Sequence, residues 1–282
     1  MIIFKQAEQL SRYLEQQGSM QTITGFIPTM GALHEGHIAL VKEAQKHTDI
    51  TVCSIFVNPT QFNDPKDYQK YPNTLDKDIY KLEAAGTNIL FLPGVEEMYP
   101  DGTQQLEQYP LGFLETILEG QYRPGHFQGV CQVMSRLLQM VKSRQLFMGQ
   151  KDYQQCMVVK WLIEYLQLDT VLIPCPTIRE PDGLAMSSRN MRLPQTDRQK
   201  ATTIYKTLDH IRQHIQPGPL QPLLTEAQAL LEQQGFRIDY VAVADANTLA
   251  PTDRWDGSQP LVALVAAFLG EVRLIDNMRI EH

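Results

Sequence analysis

Cysteine is scarce in this chain of 282 residues. Cys53, Cys131, Cys156 and Cys175 lie far apart and form no C-x-x-C pair, which removes a zinc site built on paired thiolates and a dithiol redox motif. Three of the four sit in apolar segments, the setting of buried free thiols in a reducing compartment. Long apolar runs are missing too: the longest, Leu261 to Leu269, falls well short of the about 20 residues that cross a bilayer. The opening MIIFKQAEQL has no charged n-region, long apolar core or cleavage site of a secretory signal. A soluble, cytoplasmic protein with no membrane contact is expected. Positive charge is not in excess either. With 25 Lys and Arg against 32 Asp and Glu the formal net charge is −7, so no global field draws in nucleic acid or anionic lipid. Phosphate chemistry would need a local cluster of cations. The motifs G-x-x-x-x-G-K-[ST], G-x-G-x-x-G and G-x-S-x-G are absent, as are internal repeats and low-complexity segments.

What is present is ordinary globular material, 43% hydrophobic and 20% charged, long enough for one large and one smaller domain. After a short opening strand, Gln6 to Gln17 reads as a helix ended by Gly18. The apolar run Thr22 to Ile27 reads as a buried strand, 35–47 as a helix, and Ile50 to Val57, apolar on both faces, as a central parallel strand. Residues 58–73, broken by Pro59, Pro65 and Pro72, read as a long loop of the kind that forms a lid or binding element. Helix 74–85, strand 88–92, an irregular insertion near 100–120, helix 127–141, strand 145–148, helix 151–166 and strand 170–174 follow. This alternation predicts an α/β domain with a mainly parallel sheet and ligands at the carboxyl ends of its strands. From Pro176 the pattern changes to a turn-rich segment at 177–183, helices at about 195–214 and 220–234 split by Pro217-Gly218-Pro219, and strands near 236–243, 260–269 and 271–276. A smaller α+β unit is expected there, giving domains of 1–177 and 178–282.

The stretch PTMGALHEGH, residues 28–37, joins a strand to a helix. Gly31 and Gly36 allow the backbone close approach to a ligand. His34 and His37 are three apart, so both imidazoles lie on one face of the first helical turn, beside the unpaired amides that favour an anion. HEGH lacks the i, i+4 spacing of a zinc-binding helix. FVNPTQF at 56–62 sets the amides of Asn58 and Gln61 past a strand end, where donor and acceptor together suit a hydroxyl or carboxylate. RPGHFQGV at 123–130 enters a helix with glycines around His126. GQKDYQQ at 149–155 offers Lys151 as a point charge, Asp152 as a cap or ribose ligand, and Gln155 one turn on. MSSRN at 186–190 provides two hydroxyls and a guanidinium for phosphate oxygens. The run Asp76, Lys77, Asp78 reads as a helix start rather than a metal site.

These five strings, in this order, resemble the pantoate–β-alanine ligase family, part of the nucleotidyltransferase superfamily that carries His-x-Gly-His after a strand. LIDN at 274–277 extends the likeness towards the C-terminus. The resemblance implies a Rossmann-like, mainly parallel sheet with helices on both faces, followed by a smaller C-terminal α+β domain acting as a lid. It implies ATP-dependent joining of pantoate to β-alanine through a pantoyl adenylate, with AMP and pyrophosphate released. By likeness, ATP is bound by Met30, Gly31, Ala32, Leu33, His34, Glu35, Gly36, His37, Gly149, Gln150, Lys151, Asp152, Ile178, Met186, Ser187, Ser188 and Arg189. Gln61 and Gln155 hold pantoate, with Gln61 close to β-alanine as well. His37 is the implied catalytic donor, with His34 beside it and Lys151 on the phosphates. MSSRN matches the mobile Lys-Met-Ser-Lys-Ser loop of class I synthetases, and Arg123 and His126 line the site. Many relatives carry Glu where this chain has Gln150, which leaves the role of that position open. Mg²⁺ is expected with ATP, held mostly by phosphates and water, and the family is usually a homodimer. Two other readings remain: a nucleotidyltransferase that moves AMP onto a phosphate-bearing acceptor, and a catalytically silent nucleotide-binding protein. An RNA-binding synthetase relative is disfavoured by the acidic balance.

Overall fold

The alternation of apolar runs and amphipathic segments forms two compact units, Met1–Gln150 with Gln154–Pro176, and Lys151–Tyr153 with Thr177–His282. A computed structural model describes residues 1–17, 22–62, 68, 69 and 71–280.

In the first unit the strands are β1 (Ile2–Phe4), β2 (Thr24–Thr29), β3 (Ile50–Ile55), β4 (Ile89–Phe91), β5 (Gln145–Gly149) and β6 (Val171–Cys175). All neighbours are parallel, in the order β1-β4-β3-β2-β5-β6. The chain therefore winds outward from β2 through β3 to β4 on one side, and through β5 to β6 on the other. Register at the turning point is Gly25 beside Gln145 and Phe26 beside Leu146. Connections leaving two adjacent strands in opposite directions open a crevice at their carboxyl ends, where ligands of such sheets bind.

The main helices of this unit are α1 (Ala7–Gln17), α2 (Glu35–His47), α3 (Leu75–Ala84), α4 (His126–Val141) and α5 (Tyr153–Tyr165), whose first residue groups with the second unit. Successive strand residues point to opposite faces, and the core divides accordingly. Phe26, Val52, Ile89 and Leu146 pack with Leu10 of α1, Phe127 and Leu138 of α4 and Leu162 of α5. Their neighbours Ile27, Cys53, Leu90 and Phe147 pack with Val41 and Ala44 of α2 and Leu82 of α3. The expected parallel sheet with helices on both faces is what the chain forms.

The second unit pairs helices α6 (Thr203–His214) and α7 (Gln221–Glu232) with strands β7 (Arg237–Asp245), β8 (Leu261–Leu269) and β9 (Val272–Ile280). The strands are antiparallel in the order β9-β8-β7, and Val241, Val243, Ala263, Val265 and Leu274 pack with Ile204, Leu208, Ile211 and Leu231 of the helices.

Several expectations shift in detail. The single helix over 195–214 is two, Gln195–Lys200 and α6, because Thr202 Oγ1 donates to the Gln199 carbonyl at 2.9 Å and draws it from the helical ladder. The strand expected over 50–57 ends at Ile55. The insertion near 100–120 is flanked by the short helix Val95–Met98 and runs into Phe113–Thr116 and Leu118–Tyr122. Gly18 as a helix stop, and residues 63–67 and 70 of the expected long loop, lie outside the described residues.

No helix among the described residues is long and apolar enough to cross a membrane. All four cysteines are free and buried, and burial pushes the Cys53 and Cys131 thiols up to about 12 and that of Cys175 to about 11. Without thiolate there is no nucleophile at neutral pH. The native protein is expected to leave these thiols unreacted with a disulfide reagent at pH 8 over minutes and to expose all four on unfolding. A rapidly reacting native thiol would contradict this.

Candidate active site

The loop after β2 reverses the chain within a few residues, and its backbone departs from ordinary geometry to do so. Gly31 has φ +82° and Ala32 φ +50°. A left-handed residue bearing a Cβ costs roughly 1–2 kcal/mol. What holds it is Asp78, only 2% exposed, whose two carboxylate oxygens accept from the Ala32 amide at 2.9 Å and the Leu33 amide at 2.8 Å. Each hydrogen bond to a charged group is worth about 1.5–3 kcal/mol, so the pair outweighs the strain. Thr74 Oγ1 adds a third donor to Asp78 at 3.0 Å, and Lys81 Nζ donates to the Leu33 carbonyl. The run that reads in sequence as a helix start is therefore also the anchor of this loop. No local pattern shows this, because the amides it binds lie 45 and 46 residues away.

The loop delivers His34 in extended geometry as the N-cap of α2. His34 Nδ1 accepts from the Gly36 amide at 3.2 Å, and His37 Nδ1 accepts from the His34 amide at 3.2 Å. An amide only donates, so each neutral ring carries its proton on Nε2. The rings lie with centroids 4.1 Å apart. The expectation of unpaired helix amides facing an anion needs correction: the amides of His37 and Ile38 both donate to the His34 carbonyl, at 2.8 and 3.2 Å, in addition to the two bonds above. The imidazoles cap the helix, and the donor edge they carry is Nε2–H. Glu35 and Gly36 stand in the first turn between them.

Gln61 closes a turn over Pro59–Gln61 that Asn58 caps. Asn58 is 1% exposed and fully engaged: Nδ2 donates to Gln61 Oε1 and to the Gly129 carbonyl, both at 3.1 Å, while Oδ1 accepts from Tyr99 OH at 2.7 Å and from the Thr60 amide. Gln61 Nε2 reaches Met30 Sδ at 2.8 Å, which brings Gln61 and the loop after β2 together. His126, expected to line the site, is buried. Arg123 Nη1 lies 3.0 Å from its Nε2, and Nδ1 lies 3.0 Å from the Gln61 carbonyl. A guanidinium only donates, so His126 accepts at Nε2 and donates from Nδ1 to Gln61. Arg123 and His126 support the turn from beneath.

Gly149 ends β5 and Gln150–Asp152 forms one tight turn before α5. Lys151 Nζ is 3.9 Å from Asp152 Oδ1. Gln154 is buried and spent on structure, accepting from the Glu119 amide and donating to the Leu114 and Ile117 carbonyls. Its neighbour Gln155 is half-buried. In the second unit, residues 178–186 form a hairpin: Arg179 bridges Ala185, and the Met186 amide donates to the Ile178 carbonyl at 2.9 Å. Its turn needs Gly183, at φ +92°, where a Cβ would lie 2.3 Å from the Tyr205 ring. Ser187 Oγ then accepts from the Arg189 amide at 3.2 Å and caps the turn Ser188–Arg192. Ile178, Met186, Ser187, Ser188 and Arg189 thus belong to one local structure. An open cleft of about 560 Å³ elsewhere in this unit, beside Lys200, Lys206 and Thr207, includes none of the expected site residues.

Sequence reading overlooked Asp78 and the contact that seats Gln61. A Cβ on Gly129 would lie 2.4 Å from the Thr60 carbonyl oxygen and 2.6 Å from Gln61 Cα, so α4 and the Pro59–Gln61 turn touch only because residue 129 is glycine. Gly129→Ala is expected to destabilise the protein by about 1–3 kcal/mol through overpacking. Urea unfolding should show a lowered midpoint; a midpoint equal to the parent's would contradict the contact.

The chain matches the family described as pantoate-beta-alanine ligase over residues 2–279. The pantothenate synthetase of Bacteroides fragilis is 44% identical over 257 residues, covering 90% of each chain, and that of Thermosipho africanus is 40% identical over 281 residues, covering 99% of each. The crystal structure of pantothenate synthetase from Thermus thermophilus superposes with TM-score 0.89 at 39% identity, covering 99% of both chains. The pantoate-beta-alanine ligase of Francisella tularensis, complexed with beta-gamma ATP and beta-alanine, has TM-score 0.80 at 38% identity, covering 99% of this chain and 97% of that one. A match over nearly its whole length, together with the paired imidazoles at the carboxyl end of β2, makes this chain a member of the pantoate–β-alanine ligase family.

Proposed function

We propose that this protein joins pantoate to β-alanine at the expense of ATP, forming pantothenate through a pantoyl adenylate and releasing AMP and pyrophosphate. The observation that carries the assignment of residues is the pair His34 and His37, each held at Nδ1 by a main-chain amide beside the sheet's turning point. Family membership supports the substrates.

A carboxylate does not acylate an amine in water, because an oxide would have to leave. The first step replaces that leaving group. A pantoate carboxylate oxygen bonds to the α-phosphorus as the bond from that phosphorus to the bridging oxygen breaks, and pyrophosphate departs with the electron pair. The β-alanine nitrogen then bonds to the acyl carbon, AMP leaves with the acyl–oxygen pair, and the ammonium proton passes to solvent. What the protein supplies is position and stabilisation of charge on the phosphoryl oxygens and the departing pyrophosphate.

His37 Nε2–H donates to that charge, with its orientation fixed by the His34 amide, and His34 does the same beside it. Lys151, Ser187, Ser188 and Arg189 hold phosphate oxygens, the guanidinium in bidentate fashion. Residues 30–37, 149–152, Ile178 and Met186 contribute the remaining nucleotide contacts. Gln61, with its amide steered by Asn58 and Met30, and Gln155 orient pantoate through paired donor and acceptor atoms, and Gln61 also meets β-alanine. Mg²⁺ enters on the triphosphate. Bound with the nucleotide, it would be held mainly by phosphates and water and would offset the charge on the phosphate oxygens. The protein acts as a homodimer in the cytoplasm, with residues 1–177 as the ATP- and pantoate-binding domain and 178–282 as a lid.

Two measurements test the reading. With ATP, Mg²⁺, pantoate and β-alanine present, AMP formation should vanish when pantoate is omitted; a dinucleotide product would indicate AMP transfer to another acceptor. His37→Ala or Lys151→Ala should slow pantoate-dependent pyrophosphate release by about a hundred- to a thousandfold with the circular dichroism spectrum unchanged. Release at the parent rate in either variant would remove that residue from the chemistry.

A further inference from the structure

LIDN, residues 274–277, is a family-like string to which the reaction assigns no task, and the structure shows what its last two residues hold. Asp276 is 4% exposed and accepts both arms of the Arg179 guanidinium, at 2.6 and 3.1 Å. Arg179 also donates to the Gly183 carbonyl at 3.1 Å and the Asn277 carbonyl at 3.3 Å, and lies over the Tyr205 ring at 4.8 Å. Asn277, equally buried, turns its side chain the other way: Nδ2 donates to the Lys151 carbonyl at 2.8 Å. The middle of β9 thus grips two segments distant in sequence. Through Arg179 it holds the hairpin that leads into Ser187, Ser188 and Arg189, and through Asn277 it holds the backbone of Lys151. Tyr153 OH, bonded to the Ala246 carbonyl at 2.6 Å, ties the same short segment to the end of β7. These bonds explain why Lys151–Tyr153 group with the second unit although the chain on either side belongs to the first.

We propose that Asp276 and Asn277 are positioning residues that lock Lys151 to the Ile178–Arg189 hairpin, so that the ammonium and the Ser-Ser-Arg donors meet the phosphates as a preset group. This rests on the phosphate roles given above to Lys151 and Arg189. Chemistry that depends on charge placement is sensitive to small shifts, and a displacement of about 1 Å costs on the order of a hundredfold in rate. Neither residue need touch substrate to matter. The buried Arg179–Asp276 pair is a poor place to cut, because removing one partner leaves an uncompensated buried charge. Asn277→Leu is the cleaner change, since it keeps the approximate volume and removes the amide that donates to the Lys151 carbonyl without placing a new charge in the core.

The test is a double-mutant cycle on pantoate-dependent exchange of labelled pyrophosphate into ATP. Asn277→Leu alone should lose about tenfold to a hundredfold. In a Lys151→Ala background the same change should cost less than about twofold, because the group it positions is already gone. Losses that multiply would mean that Asn277 acts by some other route, and would overturn the coupling. Lys151→Ala exchanging at the parent rate would instead overturn the phosphate role of Lys151, and this inference with it. Should Asn277→Leu fail to fold, Arg179→Lys keeps the charge while losing the fork, and in a cycle with Arg189→Ala it reads the other arm by the same criterion.

Discussion

The carboxylate of Asp78 is the constraint on which the first half of the site depends. A strand that ends in the middle of a parallel sheet must turn sharply into its helix, and here the turn places Ala32 in left-handed backbone. A strained loop persists only when its surroundings determine it more strongly than its own preferences do. Two main-chain amides on one buried carboxylate meet that condition. Once the loop is fixed, His34 enters α2 in extended geometry, its ring caps the Gly36 amide, and its own amide sets the ring of His37. The same loop offers Met30 Sδ to Gln61, so the residue assigned to pantoate takes its orientation from the anchored turn.

A similar device recurs in the second unit. Asp276 is again a buried carboxylate whose partners come from far along the chain, here the guanidinium of Arg179. In both places the acid fixes backbone next in sequence to groups assigned to phosphate, directly through the Ala32 and Leu33 amides and by way of Arg179 in the hairpin. Anionic substrates explain the division of labour. A carboxylate facing a triphosphate would repel it, whereas one that accepts from amides or a guanidinium uses its charge to organise donors.

Much of the architecture could be read from the sequence because central parallel strands are buried on both faces and appear as continuous apolar runs. Ile50 to Val57 and Thr22 to Ile27 are such runs, although the strands themselves span Ile50–Ile55 and Thr24–Thr29, and helical periodicity marked α2, α4 and α5. The order of strands could not be read, since nothing local states that β5 pairs with β2. The helix break at Thr202 was missed because a hydroxyl bonding back to a carbonyl leaves no mark on apolar periodicity. At the site, residue types and spacings were informative: two histidines three apart, amides after a strand, Ser-Ser-Arg at a turn. Their environments were not. RPGHF does not show that His126 bonds to the Gln61 carbonyl, and Asp78 looks like a helix start. Each of these roles is set by a partner dozens of residues away, and such pairings have no local signature.

The most direct measurement is made on Asp78→Asn, which preserves volume and replaces one acceptor by a donor facing the loop amides. Hydrogen exchange at Ala32 and Leu33 and pantoate-dependent pyrophosphate exchange into ATP are followed together on the same variant. The predicted result is faster amide exchange at those two positions accompanied by loss of pyrophosphate exchange, with the strands of the sheet still protected. Parent-like protection of both amides together with parent-like activity would contradict the dependence of the site on this carboxylate.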